Sequence, residues 1–256
     1  MKRRQTVGEK LSSTSALFGF MQMHPSTAIS ELAGICGYDF IILDCEHGLF
    51  GEMDIVHSLQ AIAATGMSAF VRLRGHDCQA LGRYLDMGAD GIIVPNVATA
   101  DQAELLARAM EHPPRGTRGF AGPGHRTTRY GFDAAEHIAS PRAGAFLAVL
   151  IESARGVQKA GEILAVDGVD AALIGPSDLT ADLGKLGDLA QPGYAKAWSS
   201  LEQAAADQGK ICGGVLHAGQ SVSNLVARGN RFFIIGSDIA LIREAMVAQL
   251  AAARGC

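Results

Sequence analysis

The feature that most constrains the fold is an alternation along the chain, in which a short apolar run is followed by a segment with helical spacing of apolar residues. Runs such as 39–44 and 171–174 are apolar almost throughout and too short for helices, which is typical of strands buried on both faces of a parallel sheet. The alternation recurs about eight times without a linker or a change of composition. It therefore predicts an α/β fold, a single (β/α)₈ TIM barrel domain that spans residues 1–256.

The alternation gives approximate boundaries for each element. The predicted strands are 16–21, 39–44, 69–73, 91–95, 146–151, 171–174, 211–216 and 232–235. The predicted helices are 25–35, 53–64, 77–87, 99–111, 154–166, 194–208, 220–227 and 238–253. Ser26 is the expected N-cap of the first helix, and Gly66 is the expected end of the second. Segment 113–131 is rich in Gly, Pro and Arg and too long for an ordinary connection, so we expect a functional or disordered loop there.

Composition and charge argue against several classes of protein. A formal charge of −4 gives no reason to expect a nucleic acid or an anionic membrane as a partner. No apolar run approaches the roughly 18 residues that span a bilayer, and the basic start of the chain lacks the apolar segment of a signal peptide. The five cysteines are scattered, without a C-x-x-C pair: Cys36, Cys45, Cys78, Cys212 and Cys256. This pattern favours reduced thiols in a cytoplasmic protein over disulfides or a zinc site.

Two consecutive predicted strands each lead to a carboxylate. The run 146–151 is followed by Glu152, and the run 171–174 is followed by a turn that carries Asp178. In barrels of this kind the carboxyl ends of the strands carry the chemistry. Either acid alone would be a solvated loop residue or a helix cap. Two acids on neighbouring strands suit a divalent metal, with open positions for a chelating substrate.

A second group of candidates ends the second and third predicted strands. Strand alternation places Asp44 and Glu46 on one side, with His47 just beyond the strand. A lone His is usually a core or surface residue, but a carboxylate three residues away at a catalytic rim favours a general base. Arg72 ends the third strand, where it would either form a rim salt bridge or stabilise a developing oxyanion.

The positions of the basic residues limit which reaction mechanisms are available. The long loop carries four arginines, which are either solvated or a clamp for a substrate carboxylate: Arg115, Arg118, Arg126 and Arg129. The lysines are Lys2, Lys10, Lys159, Lys185, Lys196 and Lys210. None lies in a predicted strand or at its carboxyl end, whereas a Schiff-base aldolase needs a buried amine that faces its substrate. A reaction on a keto acid would therefore depend on a metal.

Six segments carry a resemblance to a known family: YDFIILDCEHG (38–48), VRLRG (71–75), LDMGADGIIVPNV (85–97), RGTRGFAGPGHRTTRYG (115–131), IESARG (151–156) and GVDAALIGPSDLTADLG (168–184). They resemble the HpcH/HpaI family of metal-dependent (class II) 2-keto-3-deoxy and 4-hydroxy-2-oxo acid aldolases. The resemblance implies a (β/α)₈ barrel of the phosphoenolpyruvate/pyruvate superfamily. It also implies cleavage of 4-hydroxy-2-oxo acids to pyruvate and an aldehyde through a metal-stabilised enolate. The implied metal is Mg²⁺ or Mn²⁺, with Co²⁺ or Zn²⁺ as further candidates, and the implied setting is aromatic or sugar-acid catabolism.

The resemblance assigns roles to the residues at the ends of the predicted strands. Glu152 and Asp178 match the metal ligands of the family. His47 and Asp44 match its base dyad, in which the acid orients the imidazole. Arg72 matches the arginine that holds the pyruvate enolate.

Other matched positions concern the substrate and the assembly. Gly175, Pro176 and Ser177 match the loop whose backbone contacts the pyruvate carboxylate, although Ser177 replaces the usual Ala. Leu150 replaces a Gln that members often have near the keto acid. Asp86 matches an acid that the family lends to a neighbouring subunit's site. Members are commonly hexamers, built as trimers of dimers with the last helix exchanged.

Two other interpretations stay open. An acyl-CoA lyase of the malyl or citramalyl type would share the metal acids, but it should bind coenzyme A tightly, and the long loop is the one basic segment that could serve. A non-catalytic binding protein on a barrel scaffold is compatible with the fold. Such a protein would not need a base, a metal pair and an arginine at one rim.

Overall fold

The computed structural model describes residues 5–255, so the predictions that concern Lys2 and Cys256 lie outside the described residues. Its strands are β1 (Leu17–Gln22), β2 (Phe40–Asp44), β3 (Ser68–Arg72), β4 (Gly91–Val94), β5 (Phe146–Ile151), β6 (Ala171–Ile174), β7 (Ile211–Val215) and β8 (Asn230–Ser237). Its helices are α1 (Val7–Ser13), α2 (Thr27–Ile35), α3 (Glu52–Thr65), α4 (Cys78–Asp86), α5 (Ala100–Ala109), α6 (Ala134–Ala139), α7 (Ala154–Gln158), α8 (Ala160–Leu164), α9 (Pro176–Asp182), α10 (Pro192–Asp207), α11 (Val222–Ala227) and α12 (Asp238–Arg254).

The strands pair in parallel and in chain order, and β8 closes the barrel by pairing with β1. The predicted (β/α)₈ barrel is therefore confirmed. Register is continuous from β2 to β6 and shifts where β8 meets its neighbours, between Gly19 and Met21 and between Cys212 and Gly213. These irregularities lie on the side of the barrel opposite β4 and β5.

Side-chain alternation divides each strand between the barrel interior and the surrounding helices. In β2, Phe40 and Ile42 belong to the interior cluster, whereas Ile41 and Leu43 belong to the outer cluster that packs against the helices. The next inward position is Asp44, the last residue of the strand. A polar residue therefore enters the barrel interior only where the strand reaches its carboxyl end.

Two other strands follow the same rule. The inward position after Phe70 in β3 is Arg72, and the inward position after Leu150 in β5 is Glu152. Arg72 and Asp44 are also opposite each other in the register of β2 and β3. The carboxyl end of the barrel, called the rim below, is thus charged because charged residues occupy the last inward position of several strands.

Aromatic side chains fill the other end of the barrel. The rings of Phe40 and Phe232 stack with centroids 3.9 Å apart, and Phe70 meets Phe146 edge-on at 5.8 Å. These residues lie at or near the starts of their strands, and helix α1 adds its buried apolar residues to the same cluster. The amino end of the barrel is therefore closed by packed apolar groups.

Helix α1 is absent from the sequence-based prediction. Its start is a capping box, in which Thr6 Oγ1 accepts the Glu9 N–H at 3.2 Å and Glu9 Oε2 accepts the Thr6 N–H at 2.7 Å. The T-x-x-E spacing at residues 6–9 was the available signal. It was missed because only Val7 and Leu11 of this short helix are buried, which is too few for a helical period to stand out.

The other boundaries agree with the prediction to about two residues, apart from one divided helix and two helices, α6 and α9, that were not predicted. Ser26 caps α2, and Gly66 ends α3 with a left-handed φ of 80°, as predicted. The predicted helix 154–166 is two helices, α7 and α8, because Lys159 leaves the helical conformation between them. The loop 113–131 is followed by the unpredicted helix α6.

Helix α12 leaves the barrel after a single buried residue. Asp238 is 1% exposed, and its carboxylate accepts the N–H groups of Met23 and His24 at the end of β1. Beyond it, large apolar residues are exposed: Ile239, Leu241, Ile242, Met246, Val247 and Leu250. The cysteines that the structure describes are free thiols, and no helix within residues 5–255 combines the length and apolarity needed to cross a bilayer.

Candidate active site

The centre of the rim is a bidentate ion pair between Asp44 and Arg72. Arg72 Nε donates to Asp44 Oδ1 at 2.8 Å, and Nη2 donates to Oδ2 at 2.7 Å. Asp44 Oδ1 also accepts the backbone N–H groups of Glu46 and His47, at 3.0 and 3.3 Å. Burial acts to lower the pKa of Arg72, but the hydrogen bonds to Asp44 and the charges of Asp44, Glu46 and Glu152 together outweigh it, and the pKa is raised. The guanidinium is therefore held charged and in one orientation.

Glu46 lies on the other side of the same guanidinium. Its Oε2 is 3.1 Å from Arg72 Nη1 and 3.9 Å from His47 Nε2. The His47 side chain is 58% exposed, so the ring stands at the mouth of the barrel. Arg72 thus forms the rim salt bridge that was one of its two predicted roles. One N–H of Nη1 is left for a ligand.

The predicted dyad of His47 and Asp44 is not seen as a side-chain contact in the part of the chain that the structure describes. Asp44 contacts His47 only through the backbone N–H, because its oxygens are already taken up by Arg72 and by the turn after β2. The carboxylate that approaches the imidazole is that of Glu46. The acid within ion-pair distance of the His47 ring is therefore Glu46, and the base role of the His47–Asp44 dyad stays a prediction.

Glu152 is a second buried acid of the rim, with 7% exposure. Its Oε2 accepts the backbone N–H of Asn96 at 2.8 Å, and Asn96 has a φ of 52°, a conformation that Asn tolerates better than most residues. The side chain passes directly over Gly175, where an added Cβ would overlap with the Glu152 carboxylate. Gly175 is therefore required for Glu152 to occupy this position.

Asp178 lies next to Glu152 on the adjoining strand–helix turn. It is in the first turn of α9, which follows β6, and β6 pairs with β5 through Ile174 and Ile151. The pKa of Glu152 is raised to about 7, chiefly by burial and then by the charges of Glu46 and Asp178, against the opposing Asn96 N–H bond. Three carboxylates are therefore close enough to repel one another.

This cluster of acids fits a divalent cation. A cation held between Glu152 and Asp178 would offset the repulsion and compensate the desolvated Glu152 carboxylate. Within residues 5–255, no three His, Cys, Asp or Glu side chains are arranged as a preformed metal site. A pair of acids would leave the remaining positions to substrate and water, which suits an ion of the Mg²⁺ type. The roles of both acids as metal ligands stay predictions.

The predicted substrate-binding residues lie around these acids. Gly175 is the N-cap of α9, Pro176 is its first residue, and Ser177 is exposed beside Asp178. Leu150 is 5% exposed and belongs to the interior cluster below Glu152. The floor of the site is therefore apolar, and one of its sides is the start of a helix.

Asp86 is separate from this group. It is the last residue of α4, and its Oδ1 accepts from Arg118 Nη2 at 2.5 Å and lies 3.1 Å from His125 Nδ1. Helices that follow barrel strands run back from the rim, so the end of α4 lies toward the amino end of the barrel. The predicted contribution of Asp86 to a neighbouring subunit's site stays a prediction.

Two residues of the site were not assigned from the sequence. Glu46 had a signal, because the spacing of two residues from Asp44 places both on one side of a strand. Asn96 contributes through its backbone N–H, which has no signature in residue type. Its position after the end of β4 was the only indication.

Comparisons with known proteins agree with this arrangement. A model of the family described as HpcH/HpaI aldolase/citrate lyase matches residues 20–245. A hydroxypyruvate/pyruvate aldolase of Delftia acidovorans is 36% identical, over 94% of this chain and 89% of the relative. A 2-dehydro-3,6-dideoxy-6-sulfogluconate aldolase of Pseudomonas putida is 34% identical, over 96% of this chain and 95% of the relative.

A solved structure extends the similarity to the whole fold. An HpcH/HpaI aldolase/citrate lyase family protein of Burkholderia cenocepacia superposes with a TM-score of 0.88 at 28% identity, covering 96% of this chain and 97% of that chain. The curated relatives are named as aldolases, which are carbon–carbon lyases, so the predicted class of enzyme is confirmed. The family match covers nearly the whole barrel, including Glu152 and Asp178. This chain belongs to the HpcH/HpaI aldolase/citrate lyase family.

Proposed function

We propose that this protein is a divalent-metal-dependent aldolase that interconverts 4-hydroxy-2-oxo acids with pyruvate and an aldehyde. The observation that carries the proposal is the meeting of Glu152, Asp178 and the fixed cation Arg72 at one rim. The names of the relatives, which include a pyruvate aldolase and a sugar-acid aldolase, support a keto acid as substrate. A place in sugar-acid or aromatic catabolism follows from that substrate class.

Glu152 and Asp178 would hold the metal. When bound, the metal supplies positive charge beside the carboxylate and carbonyl of the keto acid. Oxygen ligands favour Mg²⁺ or Mn²⁺ over softer metals such as Zn²⁺. Because the pKa of Glu152 is about 7, a proton competes with the cation near neutral pH.

Arg72 and His47 would act on the reacting bonds. In cleavage, the imidazole of His47 accepts the proton of the C4 hydroxyl, directly or through a water, while the C3–C4 bond breaks. The electrons of that bond move to the C2 oxygen of an enolate, and the C4 oxygen becomes the aldehyde carbonyl. The free Nη1 hydrogen of Arg72 donates to the enolate oxygen. The imidazolium of His47, beside Glu46, then returns that proton to C3, directly or through a water, which completes pyruvate and restores the base.

The turn between β6 and α9 would bind the pyruvate carboxylate. The first N–H groups of α9 have no partner within their own helix, and they begin at Ser177 because Pro176 carries none. Leu150, on the apolar floor, would contact the carbon chain of the substrate. Together they fix the keto acid with its charged end toward α9.

The described lysines do not support a Schiff-base mechanism. Lys10 and Lys210 donate to backbone carbonyl groups at 3.0 and 2.7 Å. Lys159 and Lys185 lie beside the acids Glu162 and Asp188, and Lys196 lies on α10. None of them is on the inward side of a strand, so the metal and Arg72 would have to carry the enolate charge.

The test is exchange of the methyl protons of pyruvate in deuterated water, followed by proton NMR. The proposal expects exchange with Mg²⁺ or Mn²⁺, loss of exchange after chelation, and loss in Glu152→Gln with the metal present. Exchange that persists unchanged after chelation would overturn it. A panel of 4-hydroxy-2-oxo acids, with malyl-CoA as the competing substrate, then separates an aldolase from an acyl-CoA lyase by pyruvate release.

We further propose that the protein is a cytoplasmic homohexamer, a trimer of dimers, in which α12 is exchanged. The support is the row of exposed apolar side chains on α12, which would lose contact with water on packing against a neighbouring barrel. In such an assembly Asp86 would reach the site of an adjacent subunit. Light scattering with and without residues 238–256 tests the assembly.

A further inference from the structure

An exposed arginine stands at the mouth of the barrel, beside the site described above. Arg74 follows Arg72 by two residues, and the buried Leu73 between them packs with the outer cluster. Arg74 therefore leaves the end of β3 on the inward side. Its side chain is open to solvent, so a substrate that enters through the rim can reach it.

The ladder of β2 and β3 gives the height of Arg74 above the central ion pair. Asp44 and Arg72 are opposite each other in register, and the next N–H of the chain after Asp44, that of Cys45, donates to the Arg72 carbonyl at 3.0 Å. The Cys45 carbonyl lies one step farther along the ladder and accepts from Arg74 Nε at 3.0 Å. The guanidinium of Arg74 is thus held at the edge between β2 and β3, nearer the mouth than the Asp44–Arg72 pair.

Most donors of Arg74 have no acceptor in the part of the chain that the structure describes. The bond to the Cys45 carbonyl is the one hydrogen bond of its side chain there, and no acid among those residues lies within ion-pair distance. Nη1 and Nη2 keep their N–H groups in the planar arrangement that matches a carboxylate. Arg74 is therefore a fixed cation with donors free for a ligand.

The arginines of the long loop are engaged in other contacts. All four were candidates for a clamp on a substrate carboxylate. The structure gives each of them a partner: Arg115 with Glu111, Arg118 with Asp86, Arg126 with the Met87 carbonyl and Arg129 with Asp133. Arg74 is thus better suited than these residues to receive an anion at the rim.

The proposed reaction directs the far end of the substrate toward Arg74. The enolate oxygen lies at Arg72 and the C4 hydroxyl lies at His47, whose ring is 58% exposed at the mouth. Carbons beyond C4 therefore extend past His47, away from the apolar floor. The turn that carries His47 begins at Cys45, the residue to which Arg74 is bonded.

The charge of the rim explains why an anionic substrate end would need this arginine. Glu46 lies beside His47 with its side chain 18% exposed, and it adds its charge to those of Glu152 and Asp178. A second negative charge on the substrate would be repelled there unless a cation offsets it. One guanidinium offsets one charge, so a carboxylate is accommodated better than a phosphate dianion.

We propose that Arg74 sets the specificity for the aldehyde part of the substrate by binding a terminal carboxylate, so that 4-hydroxy-2-oxo diacids are preferred. This role rests on the proposed function, because the position of C4 follows from the role of His47. A diacid is then held at both ends, by the start of α9 at C1 and by Arg74 at the far carboxylate. Cleavage of the C3–C4 bond gives pyruvate and an aldehyde that carries this carboxylate.

The test compares two substrates that differ only in the far charge, 4-hydroxy-2-oxohexanedioate and its 6-amide. We expect the parent enzyme to favour the diacid about tenfold in kcat/KM, measured by pyruvate release with Mg²⁺ or Mn²⁺ present. Arg74→Gln should abolish this preference, mainly by raising KM for the diacid, because the contact is remote from the reacting bonds.

Two further variants make the comparison specific. Arg74→Lys keeps the charge but loses the planar fork, so part of the preference should remain. Arg108→Gln is the matched control, because Arg108 is an exposed arginine in the last turn of α5, and this variant should keep the full preference.

Several outcomes would overturn the role of Arg74. The parent could cleave the amide as well as the diacid, or the preference could survive in Arg74→Gln. An equal loss for both substrates would mean that Arg74 only holds the turn at Cys45. Faster cleavage of 4,5-dihydroxy-2-oxopentanoate 5-phosphate would contradict the choice of a carboxylate. Thermal unfolding checks that each variant folds; if Arg74→Gln does not, Arg74→Lys decides.

Exchange of the methyl protons of pyruvate, measured on the parent enzyme, separates the two proposals. Exchange without a preference for the diacid leaves the proposed function intact and overturns the role of Arg74 alone. Absence of both exchange and cleavage overturns the proposed function, and the role of Arg74 with it.

Discussion

Two ion pairs of the molecule join the same residue types. Asp44 pairs with Arg72 at the rim at a closest distance of 2.7 Å, and Asp86, at the end of α4, pairs with Arg118 of the loop at 2.5 Å. The rim pair is bidentate because its members face each other in the register of neighbouring strands. The pair of Asp86 and Arg118 joins the end of a helix to a loop. It makes one hydrogen bond and leaves Arg118 Nε without a partner. Strand register can complete a polar pair within one chain, whereas a helix–loop pair leaves a donor without an acceptor.

The largest expected effect is at the rim. Glu152→Gln removes the charge that a divalent cation needs while keeping the shape of the side chain. We expect a loss of at least about 10³-fold in kcat/KM for a 4-hydroxy-2-oxo acid, because charge stabilisation of the enolate is the largest contribution. Initial rates of pyruvate release at saturating Mn²⁺ measure it. Arg115→Gln is the control, and a loss of similar size in that variant would remove the distinction between rim and loop.

The next largest effect is expected on the free energy of unfolding, which should distinguish the Asp44–Arg72 pair from the Asp86–Arg118 pair. Asp44→Ala removes the bidentate partner of the buried Arg72 and leaves it only the Glu46 contact, and we expect a loss of about 3 kcal/mol in the free energy of unfolding. Asp86→Ala should cost only about 1–2 kcal/mol, because the Asp86 side chain is partly exposed and water can reach the space that it leaves. Urea unfolding of both variants measures the difference. Equal losses would mean that the pairs are energetically alike despite their geometry.

The pH dependence tests the burial of Glu152. Its folded pKa is raised from 4.5 to about 7, so the folded state binds the proton more tightly than the unfolded chain. In the metal-free protein the destabilisation is absent below pH 4.5, grows as the pH rises from 4.5 to about 7, and is complete above that, at about 3 kcal/mol at most. The fall in unfolding free energy between pH 5 and 8 should be smaller in Glu152→Gln than in the parent. Glu162→Gln, an exposed acid on α8, should not change it.

The smallest effect is expected at a third pair. Arg129 and Asp133 lie 3.2 Å apart on the surface, with side chains 64% and 34% exposed. Arg129→Gln should change the free energy of unfolding by less than about 0.5 kcal/mol, because solvent screens the pair. The same urea experiment measures it. A loss as large as that of Asp86→Ala would show that burial does not rank these pairs.

The architecture could be predicted because barrel strands are covered on both faces and therefore read as uniform apolar runs. Short helices were harder to predict: α1 and α6 have 7 and 6 residues, too few for a helical period to stand out. The break at Lys159 was also missed, since the apolar spacing continues across it. Periodicity thus predicts the long elements, and of the short helices it found α11 but missed α1, α6 and α9.

The rim residues were predictable in part. Asp44, Arg72 and Glu152 follow from alternation, because each is the next inward position after an apolar one. Which side chain meets which was not predictable. Pairing of Asp44 with Arg72 depends on the register of two strands, and register is not encoded in either strand alone. The imidazole of His47 consequently has Glu46, not Asp44, as its neighbouring acid.

The amino end of the barrel is closed by the packed rings of Phe40, Phe70, Phe146 and Phe232, so the site opens only at the rim. A reactant enters past His47 and has no second route through the amino end of the barrel. Both fragments of a cleaved acid must therefore leave through the rim. The aldehyde, farther from the floor, has to leave before pyruvate can. Pyruvate is therefore the first reactant to bind in synthesis and the last product to leave in cleavage. Pyruvate added in excess should inhibit cleavage by occupying the site.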